Sequence, residues 1–296
     1  MTGRQSVWIL TDSNSGITKA QGEKLGIGVL PMPFFIEGKE YYETVTMNRE
    51  SFFSAMADGK KITTSQPSIE VLLQAFEEGL KTHEEIVYIP MSGGLSGSVQ
   101  TAKAFAKDYG ERIEVVDNHR ISCTQKQSVL EALYLTNAGK TAKEIREILE
   151  QHSMDATIYI AVETLEYLKK GGRITPAGAA IATVLNLKPI LQIKGDKLDA
   201  YAKARGIAAA KEKLLEAVEQ DVTIRFAGKP VYIKGAYCGT KEDAALWKSE
   251  IEARFPKATV SVDPLALSIA CHIGPKAVAI VCMQELAEAP HISYEI

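Results

Sequence analysis

Short apolar runs alternate along the first half of the chain with segments whose apolar positions recur at helical spacing. Val7 to Leu10 predicts a strand, Lys19 to Leu25 a helix, and Val29 to Phe35 an extended segment, which together form a βαβ pattern. A polar helix opens at Asn48. The loop TTSQPS, Thr63 to Ser68, follows, and its final serine suits the N-cap of a helix over Ile69 to Leu80. The strand Glu85 to Pro90 runs into the Gly/Ser turn SGGLSGS, Ser92 to Ser98. A helix then continues through Ala106 and hands over to a strand at Arg112 to Val116. Strands separated by helices run parallel, so the small polar loops that end them are expected to gather at one edge of the sheet, where open α/β sheets bind their ligands.

The grammar changes past the middle. Thr141-Ala-Lys-Glu144 forms a capping box for a helix to about Gln151, and a strand near Thr157 to Ala161 is expected to close the first domain. Leu165 to Lys170 predicts a helical turn broken by Gly171-Gly172, and a short helix follows Pro176. Pro189 to Ile193 pairs as a hairpin with Leu198 to Lys203 across Gly195-Asp196. Strands at Val231 to Tyr237, Ala258 to Val262 and Ala277 to Met283, with helices between them, complete the pattern. The expectation is an α/β protein with a Rossmann-like parallel-sheet domain over residues 1–160 and a smaller mixed α/β domain over 161–296. The boundary is approximate, and segments are free to cross over.

Composition narrows the function. The 296 residues carry a net charge of −3 with 46% hydrophobic residues, a globular profile that gives no reason to expect a nucleic acid partner. No apolar run is long enough to span a bilayer and Met1 to Ser15 lacks a signal-peptide core, so a cytoplasmic protein with no stable membrane insertion is expected. Cys123, Cys238, Cys271 and Cys282 are scattered without a CxxC and fit reduced core thiols. His83, His119, His152, His272 and His291 show no metal-binding spacing.

Three loops carry the candidate chemistry: TDSNSG (Thr11 to Gly16), TTSQPS and SGGLSGS. Each alone fits an ordinary turn or helix cap. Together on one edge they offer hydroxyls and backbone amides to an anion. None contains Lys or Arg and there is no GxxxxGK[ST], so a polyphosphate would be poorly neutralised, whereas a single carboxylate needs only two or three neutral donors. His272 precedes a Gly-Pro turn. Lys169 to Lys213 holds ten Lys or Arg against three Asp or Glu, net +7, which leaves the rest at net −10; this is either a solvated face or a docking surface for an acidic partner. Ser96 stands between a strand and a helix as a hydrolase nucleophile would, with Asp263 and His272 as chain-order partners, but Ser98 occupies the place where GxSxG requires glycine.

Several separated stretches together resemble the DegV family of bacterial fatty acid binding proteins. They are TDSNSGI, TTSQPS, SGGLSGSVQTA, VVDN (Val115 to Asn118), LEYLKKGGRIT from Leu165, LNLKPIL from Leu185, YAKARG (Tyr201 to Gly206) and HIGP at His272, in this order along the chain. The resemblance implies a lipid-binding carrier that is not itself an enzyme and needs no cofactor. It would bury a long-chain fatty acid in an apolar tunnel and present the carboxylate to a separate fatty acid kinase catalytic subunit, in phospholipid metabolism. By position, Thr64 would donate its hydroxyl to the carboxylate. The family commonly has two serines before its Gly/Leu-Ser-Gly turn; here the pair is Ser92-Gly93, so the amides of Gly93 and Gly94, or Ser92 itself, would substitute, with Ser96 in the same turn. His272 matches a family histidine near the carboxylate and Arg205 a family arginine, while Arg173, Lys170 and Lys203 fall to partner docking. About fourteen buried methylenes at ~0.8 kcal/mol each would contribute on the order of 11 kcal/mol before ordering costs, so the polar turns need only orient the headgroup. The alternatives are a binding or regulatory protein for another small carboxylate, and the hydrolase built on Ser96.

Overall fold

The computed structural model describes residues 5–180, 187–195 and 197–292. Residues 1–4 of the N-terminal segment, Leu185 and Asn186 of the LNLKPIL stretch, and Asp196 of the expected hairpin turn lie outside the described residues. The chain forms two compact units, Met1–Met154 with Leu286–Ile296, and Asp155–Glu285.

The first unit contains β1 (Gln5–Asp12), α1 (Lys19–Leu25), β2 (Gly28–Leu30), β3 (Pro33–Ile36), β4 (Lys39–Tyr42), α2 (Arg49–Ala57), β5 (Ile62–Thr64), α3 (Ile69–Thr82), β6 (His83–Ile89), α4 (Ser98–Ala106), β7 (Ile113–Val115), α5 (Cys123–Asn137) and α6 (Ala142–Gln151). Its main sheet has the order β2-β1-β6-β7 with every pair parallel. The period of two divides its side chains between two cores. Val7, Ile9, Val87 and Ile89 pack with residues of α5 and α6 such as Val129 and Ile145. Leu10, Ile86 and Tyr88 pack on the other face with Phe76 of α3 and Val99 of α4. The caps expected from sequence are present: Val71 donates its amide to Ser68 Oγ at 3.3 Å, and Thr141 and Glu144 cap reciprocally.

Val29 to Phe35 is not one extended strand, because Pro31 has no amide for the parallel ladder and the chain leaves the sheet after β2. β3 instead centres a separate antiparallel sheet, β4-β3-β5. Glu37 and Gly38, both at positive φ (50° and 80°), close the β3–β4 hairpin as a two-residue turn of the kind that matches strand twist. Thr63 and Thr64 therefore lie on β5, paired with Phe35 and Phe34, and TTSQPS is not a loop at the end of a parallel strand.

The second unit holds β8 (Ala156–Ala161), α7 (Glu166–Gly171), α8 (Pro176–Ala179), β9 (Leu187–Ile193), β10 (Leu198–Arg205), α9 (Ile207–Gln220), β11 (Val231–Cys238), α10 (Lys241–Arg254), β12 (Ser261–Pro264), α11 (Leu267–Ile273) and β13 (Ala277–Gln284). Its mixed sheet runs β10-β9-β8-β13-β11-β12, antiparallel throughout except for the β11–β12 pair. The parallel sheet and this mixed sheet make the fold α/β, as the sequence implies. α9 and α10 cover one face, and buried Trp247 donates its indole N–H to Ala279 O at 2.9 Å. β8, expected to close the first domain, is instead an inner strand of the second unit. The strand expected at Ala258 to Val262 begins later, as β12 from Ser261 to Pro264. The four cysteines are all buried, and burial, followed by the charge of Asp221, pushes the Cys282 thiol up to about 12.

The returning C-terminal segment has a packing reason. Leu286, Ala289 and Ile292 insert into the core beneath α5 and α6 of the first unit. Leu286→Ala is expected to destabilise that unit by about 2–4 kcal/mol, read as an earlier urea transition of probes in the parallel sheet.

Candidate functional site

The turns after β1, β6 and β7 meet at the carboxyl edge of the parallel sheet and are tied to one another by backbone groups. Ser92 donates its amide to Arg120 O at 2.8 Å, and Ser122 to Asn14 O at 3.1 Å. The buried Asp12 carboxylate accepts from the amides of Met91 (2.9 Å) and Asn14 (3.0 Å) and from Gln125 Nε2 (3.2 Å). Gln125 also reaches Thr11 Oγ1 and Ile89 O, so one α5 side chain spans the ends of β1 and β6. Burial is the largest influence on Asp12 and raises its pKa against the lowering effect of these bonds.

The segment after β7 is anchored more deeply. Arg120 is buried and ion-paired with buried Glu131 at 3.3 Å; it also donates to Ser128 Oγ (3.0 Å) and His152 O (3.0 Å). His119 and Ser122 on either side adopt positive φ, 58° and 55°, an uncommon backbone state for residues with a Cβ. Such outliers persist only where surrounding bonds over-determine them, and the Arg120 guanidinium and carbonyl supply those bonds here.

The Gly/Ser turn differs from its expected chemistry. Gly93 donates its amide to Asp117 Oδ1 at 3.0 Å, and Gly94 donates its amide to Ser92 Oγ at 3.2 Å. The two amides expected to receive a ligand carboxylate are thus engaged inside the protein. Ser92 is buried, and its carbonyl accepts from the amides of Leu95 and Ser96. Ser96 Oγ lies 2.9 Å from Ser98 Oγ and accepts the Ser98 amide at 3.2 Å, a helix-entry turn with no nucleophile geometry of its own. The segment that follows Thr64 on β5 is tied to the helix after this turn by Gln66, whose Nε2 and Oε1 lie 3.0 and 3.1 Å from Thr101 Oγ1 on α4.

The second unit gathers another set of the expected residues. His272 lies in α11, and Gly171 ends α7 against it: a Cβ at Gly171 would stand 2.1 Å from His272 Nδ1. Only glycine permits this approach. Arg173 folds back on the same turn and donates to Gly171 O. Burial, and secondarily the Arg173 charge, lower the His272 pKa to about 4, so its imidazole is neutral at pH 7. The motifs around Leu165 and His272 therefore form one local cluster. Lys170 is exposed and paired with Glu166 at 2.7 Å. Lys203 and Arg205 are exposed on β10. A cleft of about 420 Å³ on the β9–β10 hairpin is lined by Thr175, Gln192, Lys194, Lys197 and Asp199, without an apolar side chain to receive an acyl chain.

Among the described residues no group of three or more His, Cys, Asp or Glu is arranged to hold a metal, and no helix is long and apolar enough to cross a membrane. Sequence reasoning passed over Asp12, Asp117, Arg120 and Gln125 as site residues. The first two lie inside quoted motifs, TDSNSG and VVDN, whereas nothing in the pattern distinguishes Gln125.

A parallel sheet with hydroxyl- and amide-rich turns stitched across its carboxyl edge, together with a second unit built on a mixed sheet, defines a class of two-unit α/β proteins. The profile described as "Uncharacterised protein, DegV family" matches residues 6–285, and the chain belongs to the DegV family. It is 31% identical over 277 residues to a DegV domain-containing protein of Deinococcus radiodurans, with 93% of this chain and 97% of the relative aligned. Among solved structures it is similar to one described as fatty acid binding of a DegV family protein from Thermus thermophilus (30% identity, TM-score 0.86, covering 95% of this chain and 100% of that one). It is also similar to DegV of Bacillus subtilis, described as a fatty acid binding protein (26%, TM-score 0.82, 95% and 100%).

The His272 environment has a measurable signature. With a folded-state pKa of about 4 against 6.5 unfolded, the unfolded chain takes up the proton first, so this group lowers stability progressively as pH falls from about 6.5 to about 4. Imidazole nitrogen NMR shifts should show a neutral ring at pH 7 with a midpoint near 4, and Arg173→Gln should move that midpoint upward.

Proposed function

We propose that this protein binds a long-chain fatty acid, burying the acyl chain in an apolar tunnel, and presents the carboxylate to a separate kinase subunit that phosphorylates it. The observation that carries the reading is the edge of neutral hydroxyls in the first unit, where the Gly/Ser turn and the TTSQPS segment are joined through Gln66 and Thr101. Such an edge orients a single carboxylate without enclosing it. Family membership supports the reading, because two relatives at 30% and 26% identity are described as binding fatty acids. Thr64 is the proposed hydroxyl donor, with the Ser92–Ser98 turn as the other part of the headgroup site. His272 and Arg205 enter the proposal through the family resemblance alone. The protein would act as a carrier in the cytoplasm, with the phosphoryl chemistry on the partner.

The net +7 stretch between Lys169 and Lys213 is the proposed docking face for that partner, with Arg173, Lys170 and Lys203 as its cations. Lys203 and Arg205 project from β10 into solvent, as such a face requires. Complex formation is expected to weaken several-fold between low and physiological salt, measured by titration calorimetry with the kinase subunit; an affinity indifferent to salt removes the docking assignment.

Mass spectrometry of the organic extract from purified protein tests the ligand directly. A stoichiometric fatty acid supports the reading; no lipid, together with failure to take up added fatty acid, favours the small-carboxylate alternative. Thr64→Val should slow phosphoryl transfer about tenfold or more while changing fatty acid affinity about threefold or less, because the hydrocarbon supplies most of the binding free energy.

A further inference from the structure

The Gly93 amide and the Asp117 carboxylate form a pair that bears directly on headgroup choice. Asp117 Oδ1 accepts the Gly93 amide at 3.0 Å. A Cβ at Gly93 would stand 2.6 Å from Asp117 Oδ2 and 3.0 Å from Gln100 Nε2, so a side chain at this position and an aspartate in this pose exclude each other. The backbone that carries the carboxylate is itself anchored, since the Asp117 amide donates to Glu150 Oε1 at 2.9 Å. Its side chain is only 20% exposed, and His119 Nδ1 lies 3.8 Å from Oδ1. The positive φ of His119 (58°) persists because the bonds of the neighbouring Arg120 over-determine the segment that carries both groups.

We infer that Asp117 is a specificity-determining residue: it occupies the Gly93 amide as an internal carboxylate and places a fixed negative charge where an acyl carboxylate would otherwise be received. The inference rests on the fatty acid reading above and refines it. A ligand carboxylate reaching this turn must either displace Asp117 from the amide or bind beside it against like-charge repulsion. Either route costs affinity for an ionised headgroup and costs nothing for a neutral one on the same chain. The absence of a side chain at position 93 is then the requirement for this arrangement and not a lost hydroxyl alone.

The test compares oleate with oleyl alcohol, which share a hydrocarbon chain and differ in headgroup charge, on the delipidated full chain. Asp117→Asn keeps an acceptor oxygen for the Gly93 amide and removes the charge. It is expected to tighten oleate binding by about tenfold and to leave oleyl alcohol within about twofold. No change for oleate, or an equal change for both ligands, overturns the assignment. Should Asp117→Asn fail to fold, as judged by circular dichroism, Asp117→Ser serves for the same comparison with the same expected split. If the unaltered protein binds neither ligand, the fatty acid reading itself fails and this inference with it. That outcome is distinguishable from one in which oleate binds and Asp117 is irrelevant.

Discussion

The turns at the carboxyl edge of the parallel sheet depend on the Asp12 carboxylate. It sits at the end of β1 out of contact with water, and its three hydrogen-bond donors come from three segments: its own turn, the entry to the Gly/Ser turn, and α5. Burial raises its pKa, so the stability this group contributes is fully present only below the unfolded pKa and is lost as pH rises through the folded one. What the arrangement supplies in return is register. Met91 precedes the Gly/Ser turn by one residue, so the position of every amide from Ser92 onward follows from where Asp12 holds the Met91 amide.

The Arg120–Glu131 pair has a related role at the end of β7. A buried ion pair contributes little net stability, but loss of either partner leaves a stranded charge, so the pair specifies geometry more than it adds stability. Arg120 commits its side chain to α5 and its carbonyl to Ser92, fixing the backbone that presents Asp117 and His119. In the second unit close packing is achieved with apolar means. Gly171 lets α7 close directly onto His272, and the resulting burial keeps the ring neutral. A neutral histidine can donate or accept a hydrogen bond but brings no charge to attract an anion, consistent with turns elsewhere in the chain that also offer neutral donors.

Where local pattern decides structure, the sequence was legible. β1, β6 and β7 showed as apolar runs, α3 and α6 as helices with their caps in place, and β9 with β10 as a hairpin. α5 was missed because its buried surface includes Thr124, Gln125, Gln127, Ser128 and Glu131, polar residues that carry no apolar period and become interior only once Arg120 and Asp12 are there to pair with them. The three-stranded sheet was missed because its key signals, Pro31 and the Glu37-Gly38 turn, mark an interruption without saying which strand the next segment joins. The site was partly visible: the hydroxyl-rich turns and the departure at Gly93 stood in the sequence, while the Asp117 carboxylate that fills the vacated space did not announce its partner.

The α/β class, the polar turns between strands and helices, and the family could be read without coordinates, because these rest on short-range periodicity, turn chemistry and the order of motifs. The engaged amides of the Gly/Ser turn, the return of Leu286 to Ile292 to the first unit and the neutral His272 emerge only from the folded chain. Each of these depends on burial and on contacts between residues far apart in the chain, and neither quantity is encoded in any local window of residues.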